Sequence, residues 1–136
     1  MNAMFKTVLF PVDNSRETKE AAEVVAEVVK HHNSRLILLS VVEETEEGEM
    51  SEDKMNSPEM VAKLLQNAQT VFSQQGIQSE VMERKGKPAF TICDVADEIE
   101  ANLIIMGCRG LGLTEEGLNE SVTNRVINLA PCPVLI

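Results

Sequence analysis

Apolar residues arrive along this chain in two rhythms, short unbroken runs and longer stretches in which they recur every three or four positions. The runs Thr7 to Val12 (TVLFPV) and Leu36 to Val42 (LILLSVV) have strand length and too few polar positions for an exposed ribbon, so each predicts a strand covered on both faces. Leu103 to Met106 (LIIM) reads the same way, Pro133 to Ile136 supplies a final strand, and Ser79 to Glu83 is a weaker strand around Val81. Between them the spacing is helical. Ala21, Val25, Val28 and Val29 share one face, with Lys19, Glu23, Glu27 and Lys30 on the wetter side. Val61, Leu64, Leu65, Ala68 and Phe72 form a second stripe; Ala89, Ile92, Cys93, Ala96 and Ile99 a third; Val122, Val126 and Leu129 a fourth. Turn residues Asp13, Asn14 and Ser15, the cap and first-turn pair Ser57 and Pro58, the stop at Gly76, and Gly86-Lys87-Pro88 punctuate the series.

Strands that alternate with helices in this way predict an α/β fold: an open parallel five-stranded sheet with helices on both faces, joined by right-handed crossovers. The whole chain, residues 1–136, makes one domain. In such sheets ligands bind beyond the carboxyl ends of the strands, where the strand order reverses. The loops after Val12, after Val41 and Val42, and after Met106 converge there.

Charge narrows the choice of partner. The net charge is −10, with 25% charged and 43% hydrophobic residues, so the chain lacks the clustered Lys and Arg that nucleic acid or an anionic membrane surface requires. There is no Trp or Tyr to stack on single strands. The acidic run from Glu43 to Asp53 lacks the glycine-centred spacing of a calcium loop and reads as a solvated segment. No run reaches membrane-spanning length and no signal-peptide pattern opens the chain, so a cytoplasmic location is expected. The three cysteines, Cys93, Cys108 and Cys132, form no C-x-x-C pair, which leaves reduced thiols as the simplest account. His31 and His32 are adjacent at a helix end, where cations complement the dipole. With no Gly-x-Ser-x-Gly elbow, no P-loop signature and no histidine placed by sequence beside Cys108, an enzyme has little to stand on.

The richest stretch is Leu103 to Ala130, a strand that ends in Gly107, a glycine-spaced loop, and a helix. Glycines let backbone N–H groups approach an anion, and the helix start near Glu120 and Ser121 adds unpaired donors, which makes a phosphate cradle. Gly107-x-x-Gly110, nine residues, and then a position followed by Ser121 resembles the nucleotide loop of the universal stress protein family. The similarity extends through Leu103-Ile104-Ile105-Met106, the ending Ala130-Pro131-Cys132-Pro133-Val134-Leu135-Ile136, and the opening strand with Pro11-Val12-Asp13. The resemblance implies a Rossmann-like sheet of the universal stress protein and adenine nucleotide alpha hydrolase-like kind. It implies a cytoplasmic stress-response module, regulatory rather than catalytic, that binds an adenine nucleotide, AMP or ATP. By the same resemblance Pro11, Val12 and Val41 line an adenine pocket, although buried core accounts for each equally well, and Met106 belongs to the nucleotide site. Gly107, Arg109, Gly110, Ser121, Val122 and Thr123 would meet the phosphates, and Asp13 would take a ribose hydroxyl or help hold magnesium on a triphosphate.

Glu120 departs from that pattern, because the family has glycine there. Its bulk and charge predict weakened phosphate binding, and Arg109 is the one local base. Two alternatives stay open: a member that binds no nucleotide and works through partner proteins, and a slow ATP hydrolase. The apolar ending Pro133 to Ile136 predicts a homodimer in which two copies of an edge strand cover each other.

Overall fold

β1 (Thr7–Pro11) and β2 (Arg35–Glu43) form the centre of the sheet, and their side chains divide strictly by parity between two apolar layers. The computed structural model describes residues 5–12, 16–43, 58–107 and 122–136. Asp13, the acidic run from Glu44 to Asp53, Cys108, Arg109, Gly110, Glu120 and Ser121 lie outside the described residues. In chain order the remaining elements are α1 (Arg16–His32), α2 (Pro58–Gln74), β3 (Ser79–Gly86), α3 (Pro88–Glu98), β4 (Leu103–Ile105), α4 (Val122–Leu129) and β5 (Val134–Leu135).

The five strands run in the order β3-β2-β1-β4-β5 with every neighbour parallel, as the alternation predicts. On one face Val8, Phe10, Val12, Leu36, Leu38, Val42, Leu103 and Ile105 meet Val25, Ala26 and Val29 of α1 and Val61, Leu65 and Phe72 of α2. On the other, Leu9, Ile37, Leu39, Ile104 and Met106 meet Ala89, Ile92, Cys93, Val95 and Ala96 of α3 and Val126 of α4. The handedness of parallel crossovers explains the division: α1 and α2 connect strands that step one way across the sheet, α3 and α4 strands that step the other way.

Three helices end in the same local device. Ser34 donates its amide to Val29 at 3.0 Å, Ile77 to Phe72 at 2.9 Å and Ala101 to Ala96 at 2.9 Å. Each bond spans five residues and closes over a residue in the left-handed region: Asn33 (φ 52°), Gly76 (φ 79°) and Glu100 (φ 55°). Orphan carbonyls of α1, α2 and α3 are thereby satisfied without tertiary partners, all at the amino end of the sheet.

Two expectations are corrected. β3 runs three residues beyond Glu83, to Gly86, and as an edge strand it exposes Glu80, Val81, Glu83 and Lys85, so its sequence carries only a weak strand signal. Leu129 does not share the buried stripe of α4: it is 49% exposed while Val126 is fully buried. The cause is geometric, because α4 packs chiefly against α3 and so covers a narrow stripe.

Candidate functional site

The order β3-β2-β1-β4-β5 reverses direction between β1 and β4, with β2 and β3 on one side of the join and β5 on the other. These two strands pair at Val8↔Leu103 and Leu9↔Ile104, after which β1 continues beside β2 alone through Phe10↔Leu38 and Pro11↔Leu39. The carboxyl ends of β1 and β4 are thus the switch point, beyond which open parallel sheets form the crevice that takes a ligand. Pro11 closes β1 at a place where a proline costs little, because its missing N–H falls at the end of the ladder. The Val12 amide then turns to Leu39, donating to its carbonyl at 2.7 Å. On the far side the Met106 amide donates to Leu135 at 3.0 Å, which ties the exit of β4 to β5.

The side chains at this end come from three strands. Val41 is half-buried against the α3 and α4 layer, Met106 is buried in that layer, and Pro11 falls on the same face by alternation from Leu9. Val12 differs. It is 5% exposed and packed in the opposite layer with α1 and α2, so at the crevice it can offer only its carbonyl. Gly107 follows Met106, half-buried, at the start of the glycine-spaced loop. Because α4 crosses back between parallel strands β4 and β5, its first residues, Val122 and Thr123, stand at the carboxyl end of the sheet. No acidic residue occupies the first turn of α4, which leaves its positive end unopposed from within the helix.

One residue at this end carries a demand that the sequence pattern does not display. Gly86, the last residue of β3, has φ 149°, and a Cβ there would stand 2.6 Å from the Thr91 Oγ1. The close approach of the turn to the first turn of α3, where Pro88 follows Lys87, requires glycine. The sequence marks a turn at Gly86-Lys87-Pro88, while the steric need for glycine comes from Thr91.

A second cleft, of about 710 Å³, lies at the opposite end of the sheet and includes Lys30, Asn33, Arg35, Ile77 and Glu80 in its lining. An ion pair bridges Arg35 and Glu80, and the guanidinium hydrogen bond holds the Glu80 carboxyl below the usual carboxylate range. Strand-end logic places ligands at the other end, so this cleft is not the candidate site. Among the described residues no helix is long and apolar enough to cross a membrane, and no three His, Cys, Asp or Glu side chains cluster to hold a metal.

Comparison with known proteins agrees with this architecture. Residues 4–136 match the sequence profile of the Universal stress protein family. Universal stress protein Sll1654 of Synechocystis is 65% identical over 134 residues, covering 98% of this chain and 85% of that protein. Among solved structures, a universal stress protein in complex with cAMP superposes with a TM-score of 0.78 at 21% identity, covering 98% of this chain and 97% of that one. A universal stress protein family protein from Arabidopsis thaliana with AMP bound gives 0.73 at 21%, covering 96% and 89%. The switch point, the loop spacing and a match that spans almost every residue have one reading: the chain belongs to the universal stress protein family.

Proposed function

We propose that this protein is a cytoplasmic, non-catalytic stress-response module that holds an adenine nucleotide in the crevice between β1 and β4. The observation that carries the reading is the end of β1–β4 pairing at Leu9 and Ile104, with apolar Pro11, Val41 and Met106 at the carboxyl ends of the strands and Gly107 directly after Met106. The bound cAMP and AMP of the two similar structures support the choice of an adenine nucleotide. In this reading the base lies against Pro11, Val41 and Met106, and the Val12 carbonyl is an acceptor within reach. Gly107, Arg109, Gly110, Ser121, Val122 and Thr123 receive the phosphates through backbone donors, a hydroxyl and the positive end of α4. Asp13 takes a ribose hydroxyl. A magnesium ion, which would neutralise a triphosphate, would be held by Asp13 and the phosphates themselves.

Glu120 sets the preference within the class. A carboxylate about 4 Å from a phosphate oxygen costs about 1 kcal/mol in water and several at a partly buried site, so AMP is served better than ATP. Glu120→Gly should tighten ATP by fivefold or more, about 1 kcal/mol, and leave adenosine unchanged, as read by calorimetry on both ligands. Mass spectrometry of the supernatant from denatured purified protein should recover AMP. A crevice that stays empty at millimolar AMP would replace this reading with one of protein partners alone, and ADP accumulating from ATP would make the protein a slow hydrolase.

The module works as a homodimer in the same proposal. β5 forms an edge of the sheet with Leu135 39% and Ile136 50% exposed, and a second copy of that edge covers both at once. Light scattering should give a dimer for the intact chain and a monomer for Leu135→Glu combined with Ile136→Glu; two equal masses would remove this interface.

A further inference from the structure

A pair of thiols lies in the layer between α3 and the sheet, and nucleotide binding makes no use of it. Cys93 sits on the sheet-facing side of α3, in the series Ala89, Ile92, Cys93, Ala96, and is 9% exposed. Cys132 stands between Pro131 and Pro133, just before β5. It alternates with Val134, whose register partner is Ile104, and both of those residues face the α3 layer. Cys132 thus enters the apolar cluster of which Cys93 is a buried member, and is itself half-buried there. The two prolines limit how far the backbone on either side of Cys132 can swing. Two thiols separated in the chain by the second half of α3, all of β4, the glycine loop and α4 are therefore neighbours in one packed layer.

We infer that Cys93 and Cys132 are an oxidisable pair that a hydroperoxide closes into an intramolecular disulfide, tying α3 to the segment that leads into β5. Cys132, the more accessible thiol, reacts first. Its thiolate attacks the O–O bond, forms a sulfenic acid and releases the peroxide's other half as an alkoxide, which takes up a proton to become the alcohol. The Cys93 sulfur then attacks the sulfenic sulfur; the S–O bond breaks, and the departing hydroxide takes the Cys93 proton and leaves as water. Two thiols lose two electrons, and one peroxide is reduced to alcohol and water. Burial pushes both thiols above the ordinary range, with Asp94 adding to the effect at Cys93 and the charge on Cys93 adding to it at Cys132. Closure is consequently slow at neutral pH and speeds up as pH rises, because the thiolate is the attacking species. The bond encloses β4, the glycine loop and α4 in one covalent ring, so its effect is to restrain the connection across which α4 and β5 could part from α3. It stands on its own geometry and is unaffected by whether the crevice takes a nucleotide.

The test uses the full chain, treated with hydrogen peroxide, quenched with an alkylating agent and digested without reductant. Trypsin alone leaves Cys93 and Cys108 on one peptide, since no cleavable Lys or Arg separates them, so cleavage after Glu98 or Glu100 is added. The expected result is one link between the Cys93 and Cys132 peptides within a single chain. It should form about tenfold faster for each pH unit between 7 and 8, persist in Cys108→Ser, and vanish in Cys93→Ser and in Cys132→Ser. A disulfide tolerates only a narrow range of Cβ separations, so its yield reports on side-chain proximity. Links through Cys108, links only between chains, or Cys132 advancing to the sulfinic acid with no link formed would each overturn the inference.

Discussion

Phe72→Ala is expected to lower the free energy of unfolding by about 3–5 kcal/mol, the range seen when a buried phenylalanine is truncated and the cavity only partly collapses. Phe72 is fully buried in the last turns of α2, and its ring meets Phe10 of β1 edge to face, with centroids 6.2 Å apart and planes at 86°. Its carbonyl also accepts the Ile77 amide that closes the helix end. The substitution therefore removes apolar burial, an aromatic pair contributing about 0.5–1.5 kcal/mol beyond that burial, and the side chain that seats the helix terminus on the sheet. A domain of this size has a total stability of about 5–15 kcal/mol, so the loss is a third or more of the lower part of that range. Urea unfolding of both chains reads it as a drop in midpoint with little change in slope. Phe72→Leu, which keeps most of the volume, should lose clearly less. A loss below about 1 kcal/mol for alanine would mean that α2 does not rest on this contact.

Gly86→Ala is the second large effect, expected at about 1–3 kcal/mol from the backbone alone, because φ 149° is a conformation that side-chain-bearing residues rarely hold. The steric term adds to it, since the new methyl would stand 2.6 Å from the Thr91 hydroxyl, on a β-branched side chain with few rotamers to retreat into. Thr91→Ala in the same chain separates the two causes. It should restore the steric part and leave the backbone part, giving a coupling that a double-mutant cycle reads directly. Identical losses with and without Thr91 would show that strain at φ is the whole effect. No loss in either background would mean that the turn into α3 relaxes around an alanine.

The interior strands were legible in the sequence because burial on both faces writes itself as an unbroken apolar run, and Leu36 to Val42 could hardly be placed elsewhere. β3 was less legible, since only one of its edges pairs and half its side chains meet water, which dilutes the signal to Val81 and Met82. The stripe of α4 ends short of Leu129, because helical spacing says which residues share a face and not how much of that face a neighbour covers. At the switch point, Pro11, Val12, Val41, Met106 and Gly107 are marked by the family resemblance, and each stands at or just beyond the carboxyl end of a strand. Which way each side chain points depends on register. Val12 turns into the α1 and α2 layer while Val41 and Met106 turn to the other, a distinction fixed by the pairing of β1 with β2 and β4. The need for glycine at position 86 was hidden for a similar reason, as it arises from the nearness of Thr91 rather than from any local composition.

The order of the strands also has a consequence for synthesis on the ribosome. The sheet grows outward from β1 to β2 to β3, so by the time Gly86 has emerged three strands can pair and α1 and α2 can cover one face. The other face, Leu9, Ile37 and Leu39, has no cover until α3 follows, and β1 keeps an unpaired edge until β4 arrives. A nascent chain of this length thus presents an apolar surface beside an open strand edge, the combination that invites misassociation between neighbouring chains. Translation at about 5–20 residues per second carries the chain from Gly86 to the last residue of β4 in about 1–4 seconds. That interval is the window in which a chaperone would have something to hold.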